Sequence, residues 1–263
     1  MGRYLRLFLL QLKASALLAS QYRSDFLIDA LVSLFWTVTA VVPLFVVYKS
    51  GQSGIPGWTF EQSLVVTGWF ILLQGVLEGA INPGLAAVVD HIRKGTLDFI
   101  LLKPADAQFL VSTSRFHIWR VSNFFAAGTV FALAFSRMER WPDPAGVVMA
   151  VLLLVAATWT LYSLWILIVS AAFYVVKVDN LTYLFTSIFD AARWPTTVFR
   201  GAFHFVFTFV IPLGLMTTYP AEAMLGRLAV STLAGSLLGA VAFGVMARLM
   251  WLTSLRRYTS ASS

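Results

Sequence analysis

The sequence predicts an all-α, polytopic membrane protein with six transmembrane helices. Of its 263 residues, 59% are hydrophobic and only 12% are charged, whereas a soluble domain usually carries about 25% charged residues. The apolar residues fall into long runs, and a helix needs roughly 20 of them to cross a bilayer. This length suits one membrane domain, with little left for a folded domain outside it. Cysteine is absent, which excludes disulfides and thiol-based metal sites.

Residues 1–25 are predicted to form an amphipathic helix on the cytoplasmic side, before the first span. They lack the compact apolar core and the small-residue cleavage site of a secretory signal. At 100° per residue, Leu5 and Leu9 share an apolar face while Arg6 and Lys13 lie on the opposite one. The pattern is typical of a helix in the membrane interface. A helix packed on the protein's own spans fits it equally well.

Six stretches are long and apolar enough to be candidate spans. The fourth has 31 residues without a charge, and the fifth is the weakest because Pro212 interrupts it. The transmembrane domain is predicted over residues 26–252, followed by a cytoplasmic tail at 253–263. Its six spans are predicted at about 26–48, 63–89, 116–135, 146–176, 201–216 and 228–251.

The distribution of Lys and Arg sets the orientation of these spans. Of the 19 bases, 15 fall on the side of the two termini and four on the other: Lys49, Arg137, Arg140 and Arg227. The positive-inside rule therefore places both termini in the cytoplasm. The net charge of +7 is then explained by topology and by contact with anionic membrane lipids, not by binding to nucleic acid.

Residues 177–200 are neither a clean span nor a soluble loop. Their charges are sparse, and Trp194-Pro195 should break any helix there. We interpret the segment as an interfacial helix on the cytoplasmic side that leads into the fifth span. The alternative is a longer fifth span, kinked by proline, that begins near Asn180.

Side chains able to do covalent chemistry are scarce. The three histidines are scattered, and neither a metal-ligand pattern nor a GxSxG nucleophile motif is present. No GxxxxGK[ST] segment is present, so the chain has no Walker route to ATP. Glu78 is the one carboxylate clearly inside a span, with Gln74 one turn before it. An intramembrane acid is a functional candidate, but a hydrogen bond to Gln74 in a packing role explains it as well.

Small residues mark one face of the sixth span. Gly235 and Gly239 stand in GxxxG spacing and Gly244 follows them, a pattern that lets helices approach closely. Packing within the chain and contact with a second copy explain these glycines equally well.

The stretch HIRKGTLDFILLKPADAQF, residues 91–109, interrupts the apolar sequence with charges and helix breakers. We call it the hairpin. Gly95 is predicted to end one helix in the left-handed conformation, and Thr96 to cap the next. Leu97, Ile100 and Leu101 form an apolar stripe, with Asp98 in the first turn. Pro104 is expected to stop this short helix and begin another. From these residues alone, a solvated loop and a stiff surface helix both remain open.

Two segments resemble the ABC-2 type permeases of bacterial ABC transporters. IRKGTLDFILLKP, residues 92–104, is similar to the loop that follows the second span in a six-span subgroup. FDAARWPTTVFRGAFHFVFTFVIPLGLMTTYPAEAMLG, residues 189–226, resembles the same subgroup's fifth-span region, in which an aromatic-Pro pair precedes a TF-x-IP segment and a YP-A motif. Trp194 stands where that subgroup commonly has Tyr.

The resemblance implies a non-catalytic permease subunit of an exporter in the bacterial cytoplasmic membrane. ATP and magnesium would be bound by a separate ATPase subunit, and a second permease subunit, identical or related, would complete the transporter. The hairpin would be the coupling helix that docks on the ATPase, and Tyr219-Pro220 would lie near the exit of a transport path that also passes Gln74 and Glu78. A carrier or channel driven by an ion gradient through Glu78 is the alternative. The residues implied in coupling are Ile92, Arg93, Lys94, Gly95, Leu97, Asp98, Leu101, Lys103 and Pro104.

Overall fold

A computed structural model describes residues 2–21, 23–49, 54–174 and 179–258, and within these ranges it contains helices and no strand. Three π-helical turns (Leu77–Ile81, Val206–Val210, Gly214–Thr218) and three 3-10 turns (Ile118–Arg120, Asp190–Arg193, Thr196–Val198) adjoin the α-helices. The α-helices are α1 Gly2–Gln21, α2 Arg23–Lys49, α3 Phe60–Val76, α4 Asn82–Arg93, α5 Asp98–Leu101, α6 Ala107–Ser112, α7 Val121–Met138, α8 Pro144–Ala171, α9 Asp179–Phe189, α10 Ala202–Phe205, α11 Tyr219–Met224 and α12 Val230–Arg256.

Five helices in the described part of the chain are long and apolar enough to cross a membrane. The prediction of an all-α polytopic membrane protein is therefore confirmed. These helices overlap five of the six predicted spans, although the predicted end of the fourth, Val176, lies outside the described residues. The five helices are Leu31–Lys49, Phe60–Arg93, Ile118–Met138, Pro144–Ala171 and Val230–Arg256.

Local sequence signals explain where these helices begin. Thr59 and Gln62 form a capping box at the start of α3, in which the side chain of each residue accepts a hydrogen bond from the other's backbone amide, at 3.3 and 3.2 Å. At the start of α8, the Asp143 carboxylate accepts from the Gly146 amide, and Pro144 occupies the first turn, where its missing N–H has no cost.

The rod formed by α3, a π turn and α4 is the centre of the bundle. Trp69, Phe70 and Leu73 in its middle are almost completely buried. On one side α7 approaches so closely that a Cβ at Gly68 would lie 2.6 Å from the Phe131 ring. The π turn and α4 contact α8, which packs in turn against α12. We call the end of the bundle that carries the hairpin the basic end, and the end that carries residues 54–59 the opposite end.

Residues 179–200 do not form an interfacial helix at the basic end, so that interpretation was wrong. Phe185 of α9 packs against Trp165 of α8 at 5.1 Å, and Phe189 lies 5.4 Å from Phe70 in the middle of the α3 rod. The residues that follow line a cavity with Val47 and residues 54–56, at the opposite end. The segment therefore crosses the bundle from one end to the other, as in the alternative of a longer fifth span that begins near Asn180. Apolar contacts distant in sequence decide its path.

The predicted break at Trp194-Pro195 is confirmed. Trp194 is extended, with φ −100° and ψ 142°, between the 3-10 turns Asp190–Arg193 and Thr196–Val198. The residue before a proline is pushed out of the helical region by the proline ring. The helix of α9 therefore cannot continue through this point.

The fifth span, predicted at 201–216 with an interruption at Pro212, is a bent pair of helices. Ala202–Val210 and Gly214–Met224 meet at 66°, because Pro212 cannot continue the helix. At the bend, Ile211 lines a cavity with Met246, deep along α12. Past the bend the chain turns back, and the Thr217 hydroxyl donates to the Ala192 carbonyl at 2.7 Å. The pair thus enters and leaves at the opposite end.

Candidate functional site

The first turn of the hairpin is built by Gly95 and held by a side-chain contact. Gly95 has φ +65°, the left-handed conformation that the sequence predicts. The backbone amide of Thr96 donates to the His91 carbonyl at 2.9 Å. The Thr96 hydroxyl lies 2.7 Å from Nδ1 of His91, so the prediction that Thr96 caps the next helix was wrong. The backbone N-cap of α5 is Leu97, without a side-chain cap.

The short helix α5 has one buried anchor and an exposed apolar tip. Leu97 is completely buried, and Ile100 packs against the core. Leu101, the third member of the predicted stripe, is 39% exposed, so the stripe does not form a common buried face. Phe99 and Leu102, by contrast, are 69% and 81% exposed. We call Phe99, Leu101 and Leu102 the tip.

Charged residues surround the tip. Arg93, Lys94 and Lys103 are exposed, whereas Ile92 is partly buried against the core. Asp98 begins α5, as predicted, and lies beside Tyr258 near the C-terminal end of α12. Burial, and then the nearby Asp98 carboxylate, raise the pKa of the Tyr258 hydroxyl. The hairpin therefore presents an apolar tip among basic side chains, while its acid points to the protein's own last helix.

The N-terminal helix α1 packs along the second half of the hairpin. Tyr4 contacts Phe109 edge to face at 4.9 Å, and its hydroxyl accepts from the Asp106 amide at 3.2 Å. The Arg3 guanidinium donates to the Pro104 carbonyl, and the Ser15 hydroxyl accepts from the amide of Phe116 at 3.1 Å.

The other sides of α1 remain uncovered. Leu5 and Leu9 are 60% and 53% exposed, and Arg6 is exposed as well. One face of α1 packs on the hairpin, and the adjacent face leaves its leucines exposed. The structure is therefore compatible with both interpretations of this helix, packing on the protein's own spans and lying in the membrane interface.

Asp106 connects the hairpin to α12. Its Oδ1 caps α6 by accepting from the Phe109 amide at 3.0 Å. Both carboxylate oxygens accept from the Arg248 guanidinium, at 3.2 and 2.6 Å, and the same guanidinium donates to Gln108 at 2.7 Å. Burial pushes the pKa of Asp106 up, but the hydrogen bonds and charge of Arg248 and the Phe109 amide outweigh it, so the pKa lies below its ordinary value.

Close backbone contacts hold the hairpin to the rod above it. A Cβ at Gly84 of α4 would lie 2.5 Å from the Val111 carbonyl oxygen of α6, so only glycine allows this approach. In the π turn, the Gly79 carbonyl accepts from the His117 amide at 2.8 Å. A displacement of the hairpin would therefore move α4 and α6 together.

Glu78 lies in the π turn and has two partners. The Gln74 amide donates to one carboxylate oxygen at 3.1 Å, as the spacing suggested, and Arg120 lies 2.7 Å from the other. Both charged side chains are 24% exposed. Sequence reasoning missed Arg120, and its only signal was a base near the start of the third predicted span. The paired acid is suited to packing α3 against the start of α7.

The other candidate residues lie apart from this pair. Tyr219 and the buried Pro220 belong to the bent pair, and Tyr219 lines a cavity of about 320 Å³ with Gly235 and Gly239. A Cβ at either glycine would meet nothing within 4 Å, whereas one at Gly244 would clash with the Trp159 indole. Gly244 is thus a packing contact within the chain. Neither Gln74 nor Glu78 lines that cavity, so the structure does not join the four candidates into one path.

The described residues thus form a multi-pass helical bundle with a hairpin between two of its long helices. Residues 34–262 match the family model described as ABC-2 family transporter protein. The chain therefore belongs to this family and is a permease component of an ABC transporter. No curated protein and no solved structure matches it significantly.

Proposed function

We propose that this chain is the membrane subunit of an ATP-driven exporter in the bacterial cytoplasmic membrane. A separate subunit binds ATP and magnesium and docks on the hairpin, and a second permease subunit, identical or related, completes the transporter. The basic end and both termini face the cytoplasm. Family membership supports the class, and the positive-inside rule supports the orientation.

The exposed tip is the observation that carries this proposal. Phe99 and Leu102 are large apolar side chains with 69% and 81% exposure, next to basic Lys94 and Lys103. Protein interfaces use such apolar residues as anchors that fill pockets of the partner, and peripheral charges steer the encounter. The partner surface is therefore an apolar groove with an acidic rim. Leu97 has no part in it, because its side chain is buried within this chain.

The contacts behind the tip explain how a push on it reaches the spans. Ile100 packs α5 against the core, and the close approach of Gly84 to Val111 couples α6 to α4. Asp106 and Arg248 extend the connection to α12. Because packed interfaces switch between discrete arrangements instead of deforming continuously, movement of the ATPase would move these helices as a unit.

The test is association of variants with the nucleotide-binding subunit. Leu102→Asp places a charge on an exposed side chain, so we expect little loss of folding. Docking should weaken by about tenfold or more, the effect of losing roughly 1.4 kcal/mol at an interface anchor. The measurement is a pulldown of the tagged chain from detergent-solubilised source membranes, with identification and quantification of the ATP-binding protein recovered.

Val230→Asp is the matched control. Val230 is 75% exposed and starts α12 at the opposite end, where an acid in the first turn suits the helix. This variant should retain the partner fully. Recovery of the unaltered chain without any nucleotide-binding protein would refute the proposed function. Equal recovery with Leu102→Asp and with the unaltered chain would refute the tip as the docking surface.

A further inference from the structure

A large cleft opens alongside the packed helices α8 and α12, where Val76, Ala80 and Ile81 of the rod also line it, and we call it the α8–α12 cleft. Its volume is about 1080 Å³, just above the usual range for ligand sites. Leu152 and Val155 of α8 and Leu237 and Val241 of α12 line its walls. The hairpin's α6 closes one end. None of the contacts described between the hairpin and the spans fills this space.

The charged residues of the cleft stand together at its basic end. Asp106 and Arg248 line it there, next to Gln108 and to Tyr162, whose hydroxyl accepts from the Gln108 amide at 3.0 Å. Among the residues that the structure describes, Asp106 and Gln108 occupy three of the five N–H groups of Arg248. The Arg248 side chain is 41% exposed. Two strong donors are thus left for an acceptor on a ligand, and Asp106 already balances the positive charge.

The apolar part of the cleft matches the depth of one membrane leaflet. Leu237 and Arg248 lie about 16 Å apart along α12, at a rise of 1.5 Å per residue. Half of a bilayer's hydrocarbon core is about 15 Å. A long apolar wall with its charged groups at one level fits a molecule with an extended chain and a polar head at the membrane surface.

We propose that the α8–α12 cleft binds an acyl chain of a membrane amphiphile from the leaflet at the basic end. The acyl chain lies along α8 and α12, and the ester or amide oxygens at the head accept hydrogen bonds from Arg248. Resting on the proposed function, this site makes an acylated amphiphile of that leaflet the substrate class of the exporter. The open rim, where Val155 and Val241 are 64% and 62% exposed, lets such a chain enter from the side.

Photolabelling at two depths tests this site. The purified chain is reconstituted into vesicles of phosphatidylcholine and phosphatidylglycerol that contain a phosphatidylcholine probe with one diazirine on its acyl chain. A diazirine at the chain end should label peptides around Leu152 and Leu237, and one near the ester should label the peptide containing Arg248. Mass spectrometry of the digested protein gives the positions and amounts.

A pair of valines supplies the matched variants. Val241→Trp fills the cleft and should lower labelling by about fivefold, equivalent to roughly 1 kcal/mol. Val38→Trp, on α2 and 52% exposed, lies outside the cleft lining and should leave labelling unchanged. Equal labelling of both variants, or labels spread evenly over every exposed helix, would overturn the proposal. So would absence of label together with loss of dimers in Val241→Trp, because a second copy would then fill the cleft.

The same variants separate this proposal from the proposed function. Val241→Trp lies far from the tip, so it should still recover the nucleotide-binding subunit in the pulldown while its labelling falls. Depth-specific labelling of a chain that recovers no such subunit would uphold the lipid site and refute the exporter. Recovery of the subunit without depth-specific labelling would uphold the exporter and refute the lipid site.

Discussion

Asp106→Asn should weaken the connection between the hairpin and α12 while keeping the cap of α6. Asn caps helices as well as Asp does, so the 3.0 Å bond from the Phe109 amide can persist. What is lost is the ion pair with Arg248, whose side chain is 41% exposed against 33% for Asp106. Solvent screening at that exposure limits the loss to about 1 kcal/mol. Asp106→Ala removes the cap as well, for a total of about 2 kcal/mol.

The free energy of unfolding, from denaturant titration in detergent micelles, distinguishes these two contributions. A double-mutant cycle of Asp106→Asn with Arg248→Gln should give a coupling energy of about 0.5 to 1 kcal/mol. A coupling below about 0.3 kcal/mol would refute the ion pair as a structural connection. Equal stabilities of Asp106→Asn and Asp106→Ala would refute the capping role.

The same pair has a pH dependence of known sign. The pKa of Asp106 in the folded protein lies below its ordinary value of 3.8, so its ionised form is favoured by folding. The stabilisation is present above pH 3.8 and is lost as the pH falls through the lower, folded pKa. The difference in unfolding free energy between the unaltered chain and Asp106→Asn should therefore be constant near neutral pH and shrink in acid. A difference that stays constant throughout the acidic range would contradict this account.

Three further predictions concern the packing around the hairpin and in the spans. Leu97→Ala should cost about 2 to 5 kcal/mol of unfolding free energy because the side chain is completely buried, and unchanged stability would show that it is no anchor. Gly244→Ala should cost about 1 to 3 kcal/mol by overpacking against α8, whereas Gly235→Ala should change stability by less than about 0.5 kcal/mol; equal effects would contradict the packing described. Glu78→Gln should lower the free energy of unfolding by about 1 to 3 kcal/mol, because it leaves Arg120 without its ion pair. Adding Arg120→Gln to this variant should restore part of the lost stability. A selective loss of pH-dependent flux with full stability would instead favour the gradient-driven carrier.

Sequence reasoning succeeded where the determinant is local. Apolar run length predicts the five long helices, and the left-handed Gly95 and the break at Trp194-Pro195 follow from backbone sterics at single residues. The hydrogen bond between Gln74 and Glu78 is of the same kind, because one helical turn separates them.

The failures arise where distant contacts decide. The spacing of Leu97 and Leu101 predicts a shared face, but α5 has only four residues, and Leu97 is buried while Leu101 is exposed. Residues 179–200 carry too few charges to show their side of the membrane, and contacts such as Phe189 with Phe70 set their path. The ion pair of Glu78 with Arg120 joins two spans, which no local pattern reveals.

The contacts of α1 imply an order of events during biogenesis. Tyr4 and Ser15 meet partners about a hundred residues later in the chain, and at roughly 5 to 20 residues per second those partners leave the ribosome about 5 to 20 s afterwards. During that interval Tyr4 and Ser15 are without these partners. The exposed leucines of α1, Leu5 and Leu9, would bind the helix to the bilayer surface in the meantime. The bilayer would thus hold α1 until this helix packs on the hairpin.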